Sequence, residues 1–378
     1  MTSQSNGHPG ARGRDFDETP LILTWEVTQA CDLACDHCRA DAQPDRHPNE
    51  LTTGEGRRFL ETVTGFGKPS PILVLSGGDP LKRPGLFELA TYAISLGIPT
   101  AVTPAPTPLL DREVIDRFAE IGISRMALSL DGATAETHDA FRGEAGSFEV
   151  IRRASEHARD AGVPLQINTT VTAETVSELP AIADLVEEIG AVMWEVFFLV
   201  PIGRGESLAQ VSPAQADRVM EWLYRRQRDA PFRLITVEAP QYRRVATQIE
   251  TAESGTDVRV GSTRAGHGFL FVSHTGEVYP SGFLPKPVGN VRERSIVSLY
   301  RETPFLRELR DPERFSGPCG ACPYRTRCGG SRSRAFATTG DPLASDPLCP
   351  YPAERANETP RRRLPPRWVR DSTARRRF

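Results

Sequence analysis

Cys31, Cys35 and Cys38 stand at C-x3-C-x2-C spacing in the stretch CDLACDHC. Clustered thiolates select zinc or iron–sulfur clusters. A structural zinc needs four ligands in a closed tetrahedron. His37 is a fourth ligand in principle, but it sits inside the tight C-x2-C turn and has difficulty reaching the same metal. A [4Fe–4S] cluster has four irons, so three thiolates leave one iron open to a ligand that is not protein. Cys319, Cys322, Cys328 and Cys349 lie in CGACPYRTRCGG…DPLC and form a complete set of four, suited to zinc or to a fully ligated [4Fe–4S] cluster. The two groups take all seven cysteines, so no thiol remains for nucleophilic catalysis. An odd total suits a disulfide framework poorly.

These groups must be held by the elements around them. The first cluster begins just after the strand-like run LILTWEVT (21–28). PILVLSGG (71–78), TAVTP (100–104), RMALSLDG (125–132), LQINTTVT (165–172) and VMWEVFFLV (192–200) follow. Amphipathic stretches lie between them, among them GEGRRFLETVTGF (54–66), GLFELATYAISLG (85–97) and DREVIDRFAEIG (111–122). Near-continuous apolar strands alternating with helices predict a parallel sheet covered on both faces. Six such units fall short of the eight of a closed barrel. The expected fold is therefore α/β: a partial (β/α)6 TIM-like barrel over 18–212, with functional groups at the C-terminal ends of its strands. A helical bridge is expected over 213–265. A small Cys-rich domain is expected over 266–352, opening on the hairpin GHGFLFVSHTGEVYPSGFLP. Residues 1–17 read as a disordered tail and 353–378 as a basic, solvated one.

The bulk numbers allow one large domain plus an appendage, or two medium domains. Of 378 residues, 39% are hydrophobic and 25% charged, the balance of an ordinary globular protein. A net charge of −3 singles out no partner, and neither nucleic acid nor a membrane is expected as one. No apolar run reaches the roughly 18–20 residues of a membrane span, and MTSQSNGHPGARGRD lacks the apolar centre of a secretory signal. A cytoplasmic location is expected.

The C-x3-C-x2-C loop after the first strand of a βα repeat resembles the signature of radical S-adenosylmethionine (SAM) enzymes. The resemblance spans about residues 20–205, with His37 in the slot that is usually aromatic. It implies that SAM chelates the open iron, and that the reduced cluster cleaves it to a 5′-deoxyadenosyl radical that abstracts hydrogen from a substrate. A reductant such as ferredoxin or flavodoxin is implied with it. SGGDP (76–80) resembles the GGEP motif of these enzymes. Gly77 and Gly78 would then let the backbone approach the SAM amino group, with Asp79 replacing the usual Glu. SLDG and HDAFRG imply Ser129 and Arg142 as partners of the SAM carboxylate, a group that suits the planar guanidinium. Asn168 and Thr170 are implied at the ribose or methionine, and VPIGRG (200–205) near the adenine.

The second cysteine group resembles a SPASM domain, an extension that carries auxiliary clusters. Ser281 and Arg332 occupy two positions that are cysteines in the two-cluster pattern, so one auxiliary [4Fe–4S] cluster is implied. The phrase GSRSRAFATTGDPLASDPLC resembles radical SAM enzymes that remove side-chain carboxylates from haem-type tetrapyrroles. Arg332 and Arg334 would then meet carboxylates, while His267 and His274 would reach an iron or else be plain surface or core histidines. Two alternatives remain beside a small-molecule substrate: a maturase acting on a peptide, and a non-enzymatic Fe–S electron carrier or redox sensor.

Overall fold

In this computed structural model, which describes residues 14–257 and 263–351, strand side chains alternate between two buried environments. The tail expected at 353–378 lies outside the described residues, as do residues 1–13 of the one expected at 1–17. The strands are β1 (Ile22–Thr28), β2 (Ile72–Gly77), β3 (Thr100–Val102), β4 (Arg125–Ser129), β5 (Leu165–Val171), β6 (Met193–Phe198), β7 (Arg233–Val237), β8 (Arg264–Ala265), β9 (Gly268–Val272), β10 (Glu277–Tyr279) and β11 (Gly289–Asn290). The helices are α1 (Thr53–Val63), α2 (Leu86–Ser95), α3 (Arg112–Ile121), α4 (Ala135–Arg142), α5 (Ser147–Asp160), α6 (Leu179–Ile189), α7 (Pro213–Gln227), α8 (Gln241–Ser254), α9 (Ile296–Glu302), α10 (Pro304–Arg310), α11 (Gly317–Gly320) and α12 (Arg332–Thr339).

The sheet runs β11-β10-β9-β1-β2-β3-β4-β5-β6-β7 and does not close. Strands β9 and β1 to β7 are mutually parallel neighbours, while β10 and β11 are antiparallel. The fold is thus the expected partial barrel, but eight parallel strands contribute rather than six. Strand β7 lies inside the segment read as a purely helical bridge. Its RLITV, only five residues long, pairs with β6 from Met193↔Arg233 to Phe197↔Val237. Strand β9 does form the expected hairpin with β10, yet it also pairs with β1 from Ile22↔Phe269 to Trp25↔Val272. The Cys-rich region therefore continues the barrel sheet and covers an edge that would otherwise be open to association.

Alternate residues face the helices or the lumen, as the pleat requires. Leu23, Trp25, Leu73 and Leu75 are fully buried against the helical layer. Trp25 meets the Phe59 ring edge-on, and a Cβ on Gly56 would stand 2.6 Å from the indole, so α1 sits directly on β1. Ile22, Thr24, Val74, Ala127 and Phe197 face the lumen. No described helix is long and apolar enough to cross a membrane.

Residues 14–17, expected to be disordered, are tied down. Arg14 donates to the carbonyls of Pro20 and Ser70, Tyr300 Oη to that of Phe16, and Arg310 Nη1 to that of Asp17. Backbone acceptors in this polar stretch are used by buried donors from the C-terminal half, which composition does not reveal.

The C-terminal region is fixed to the barrel by Arg334, whose side chain is fully buried. Its guanidinium donates to the carbonyls of Phe198, Leu199 and Glu238 and pairs with Asp346 at 3.1 Å. Asp346 also accepts from Gln241 Nε2 at 2.6 Å and the Ser331 N–H at 2.7 Å. Replacing Arg334 by Met should leave Asp346 as an uncompensated buried charge and cost about 3–5 kcal/mol. Denaturant unfolding should show this loss, and the double variant Arg334→Met/Asp346→Leu should recover much of it. Equal stability of wild type and the single variant would refute the assignment.

Candidate active site

The chain leaves β1 at Thr28 and enters the cysteine loop. The end of β2 presses against that exit: Gly78 N–H donates to Thr28 O at 3.0 Å, and Asp79 N–H to Ala30 O at 2.7 Å. A Cβ on Gly77 would collide with Thr28 O, and one on Gly78 would lie 2.6 Å from Gln29 O. Both glycines are therefore demanded by this chain's own backbone as well as by any ligand. On the other side, Arg204 N–H donates to Cys38 O at 3.0 Å and Arg204 Nε to Cys35 O at 2.9 Å. Gly203 allows that approach, since a Cβ there would stand 2.6 Å from Cys38 O.

The loop so held brings Cys31, Cys35 and Cys38 to one cavity of about 240 Å³. Gly77, Gly78 and Ser129, from the ends of the second and fourth strands, line it too. So do His37, Arg142, Asn168 and Thr170. Nearly all the residues singled out around the first cluster thus converge. Asp79 is the exception. It is fully buried, caps the turn after β2 through the Leu81 N–H at 3.1 Å, and accepts from Thr107 Oγ1 at 2.9 Å. Its shorter side chain ties the β2 and β3 loops together beneath the cavity and does not line it.

The electrostatics suit a cationic cluster. Burial lifts the Cys31 thiol to about 11, and Asp79, Cys35 and Cys38 nearby push it the same way. A bare thiolate is thus disfavoured unless a cation supplies compensating charge. Leu33 N–H points at Cys31 Sγ at 3.4 Å, and Arg142 Nη1 at Cys35 Sγ at 3.6 Å. Arg142 also pairs with buried Asp131, and its Nε has no hydrogen-bond partner among the described residues. His37 is stacked on Phe141 with ring centroids 4.7 Å apart, and burial first, then Arg142, lowers its pKa to about 4. Asp131 and Arg204 were missed as site residues, although SLDG and VPIGRG contain them.

In the C-terminal region Cys319 lies near Cys322 and Cys328, and Cys328 near Cys349. Burial raises Cys328 to about 11 and Cys349 to about 12, while Arg244 opposes both shifts. Gly330 N–H points at Cys328 Sγ at 3.5 Å. Ser281 is instead bonded to Glu238, which also accepts from Ser331 and from Ser333 at 2.8 Å. Glu238 has φ +53° and carried no signal in the sequence. Of the two positions where thiolates were expected to be lost, Ser281 is thus bonded to a carboxylate, and Arg332 holds the other.

Two substrate expectations need correction, that for Arg334 and the iron-ligand reading of His267, which is the core histidine of the other reading. Arg334 is sealed into the inter-element contact described above. Arg332 is 1% exposed; it donates to the carbonyls of Gly330, Pro342 and Ala344 and lies over the Phe315 ring. The Arg334 guanidinium is used internally, whereas Arg332 keeps Nη2 without a hydrogen-bond partner among the described residues and borders the lumen. His267 packs edge-on to Phe16 beside Arg264, and burial lowers its pKa to about 3. Of the four, Arg332 borders the lumen and His274 the outer cavity.

Two further cavities adjoin the first. The lumen, about 250 Å³, shares Ser76, Thr103, Asn168, Phe197 and Phe283 with it. An outer cavity of about 640 Å³ shares Arg39 and Ala40. Arg39 lines all three.

Comparison with known proteins places this geometry. Residues 25–186 match the Radical SAM superfamily model. An AdoMet-dependent heme synthase of Methanosarcina barkeri is 40% identical, over 88% of this chain and 97% of that protein. The one of Nitratidesulfovibrio vulgaris is 38% identical, over 92% and 98%. A pre-heme d1 synthase of Dinoroseobacter shibae is 32% identical, over 87% and 85%. Among solved structures, Streptococcus suis SuiB bound to S-adenosylmethionine superimposes with TM-score 0.69 at 17% identity, over 88% of this chain and 78% of that one.

Two outcomes follow from this geometry. Gly78→Ala should displace the cysteine loop and sharply reduce iron taken up on anaerobic reconstitution; full iron content would show that the loop tolerates the clash. Burial holds His138 and His267 neutral, with pKa values lowered to about 4 and about 3. Unfolded histidines titrate near 6.5, so their contribution is complete above that pH and is lost as pH falls toward 4 and 3. Denaturation at about pH 5 and about pH 7.5 should therefore differ less for His267→Phe than for wild type.

Proposed function

Given that the chain belongs to the radical SAM superfamily and is an enzyme of it, we propose that it removes side-chain carboxylates from a haem-type tetrapyrrole. One observation carries the reading: the three-thiol loop and the ends of β2, β4 and β5 share a cavity that adjoins both the barrel lumen and the outer cavity. The relatives named as heme synthases, similar along nearly their whole length, supply the substrate class.

Cys31, Cys35 and Cys38 would hold the [4Fe–4S] cluster of the family. SAM would complete it, with Arg142 Nε and Ser129 toward its carboxylate, and Gly77 and Gly78 toward its amino group. His37 on Phe141 would wall one side, with Asn168 and Thr170 facing the ribose or methionine. Together, cluster and SAM supply a 5′-deoxyadenosyl radical when reduced by a partner such as ferredoxin or flavodoxin. Phe197 and Phe283, at the junction of SAM cavity and lumen, would keep water from the reacting carbon. The substrate's propionate would lose a hydrogen atom from its β-carbon to that radical. The bond to the carboxylate then breaks, CO2 leaves, one electron passes to an acceptor, and a vinyl group remains. Cys319, Cys322, Cys328 and Cys349 would hold that acceptor, a single auxiliary [4Fe–4S] cluster. The Glu238–serine cluster around Ser281 supports one auxiliary cluster rather than two. Such oxygen-sensitive chemistry suits the cytoplasm. A pure electron carrier has no use for an open iron beside a SAM cavity.

Reconstituted wild type should carry about eight irons, and Cys31→Ala/Cys35→Ala/Cys38→Ala about four with no 5′-deoxyadenosine formed. Iron near twelve, or stoichiometric zinc, would refute the single auxiliary cluster. An iron porphyrin with propionate side chains should bind and be converted, with loss of CO2. Turnover of a small peptide in its place, with no porphyrin bound, would favour the maturase reading.

A further inference from the structure

The outer cavity, about 640 Å³, borders the SAM cavity at Arg39 and Ala40. His274, in the turn between β9 and β10, is on its wall. The imidazole Nδ1 faces Glu26 Oε1 at 2.7 Å. Glu26 is 4% exposed, and its other oxygen accepts from Arg39 Nη2 at 2.9 Å. With Nδ1 committed to the carboxylate, Nε2 is left for another partner. A carboxylate behind an imidazole fixes its tautomer and ring orientation, the usual support of a metal-bound histidine. The His47 ring lies across His274 with centroids 5.2 Å apart, which further fixes the ring plane.

Arg39 completes the arrangement. Its guanidinium sits 4.3 Å above the Phe271 ring and borders all three cavities. A Cβ on Gly282 would stand 2.9 Å from Arg39 Nε, so the glycine leaves room for this side chain. A ring held in the outer cavity would bring its carboxylate edge to Arg39, at the entrance of the SAM cavity.

We propose that His274, backed by Glu26, is the axial ligand to the iron of the tetrapyrrole, and that Arg39 receives a carboxylate of the same molecule. This rests on the tetrapyrrole reading above, and names the site for the ring.

The test uses cluster-loaded protein without SAM. Ferric coproporphyrin III and metal-free coproporphyrin III are titrated separately, with affinities from absorbance and fluorescence and the iron's ligand field from EPR. Wild type is expected to favour the iron form and to show nitrogen ligation. His274→Ala should weaken ferric porphyrin binding about tenfold or more and leave the metal-free affinity unchanged, with added imidazole restoring the nitrogen-ligated signal. His274→Gln keeps a hydrogen bond to Glu26 and should behave like His274→Ala; iron content checks that both variants have folded. Arg39→Met should weaken both porphyrins alike. A nitrogen-ligated spectrum and an intact iron preference in His274→Ala and His274→Gln would overturn the ligand while porphyrin binding stood. Wild type that binds neither porphyrin would remove the tetrapyrrole reading and this site with it.

Discussion

The site depends on one backbone contact, the approach of Gly77–Asp79 to Thr28–Ala30. Two hydrogen bonds, from Gly78 to Thr28 and from Asp79 to Ala30, clamp the end of β2 to the exit of β1. The loop carrying Cys31, Cys35 and Cys38 starts from that clamp. Only residues without a Cβ fit at both glycine positions. Asp79 extends the same clamp to the loop after β3, through Thr107. Gly203 and Arg204 hold the far side of the loop. An irregular, thiol-rich segment is thereby positioned by regular strands, as a site that must hold its ligands precisely in register requires.

A second fixed point joins the halves of the molecule. Arg334 reaches the carbonyls at the end of β6, the residue after β7 and the carboxylate of Asp346. Glu238 gathers three serines close by. Buried charges of this kind are expensive to desolvate, and are stable only when every lone pair and proton is used. Asp346 meets that condition. Cys349, three residues beyond it, and Cys328, three residues before Ser331, are located by the same hub.

Much of the barrel was legible because its strands are apolar runs and its helices amphipathic, and those periodicities follow from local geometry. The first cysteine loop was legible because ligand spacing survives in sequence. Strand β7 was not, since five residues with two of them polar resemble the end of a helical stretch. The pairing of β9 with β1 is a long-range choice that no local pattern encodes. Arg334 and His267 had the chemistry of substrate contacts, but burial decides whether such groups face outward, and burial is a property of the assembled fold. Asp79 shows the same limit at the scale of one methylene: the motif supplies a carboxylate, and the shorter side chain redirects it into the scaffold.

The parallel pairing of β1 with β9 bears on how the chain is made. The first strand leaves the ribosome early, and the strand that covers its outer edge follows only after all six βα units. During synthesis that edge has unpaired donors and acceptors and an apolar flank, a template for association with other nascent chains. Contacts so distant in sequence also form slowly, because a large loop must close first. The late hairpin thus acts as a closing clasp. A chain that stalls before it would hold the cysteine loop on an unfinished sheet, and its assembly with iron is best timed after release.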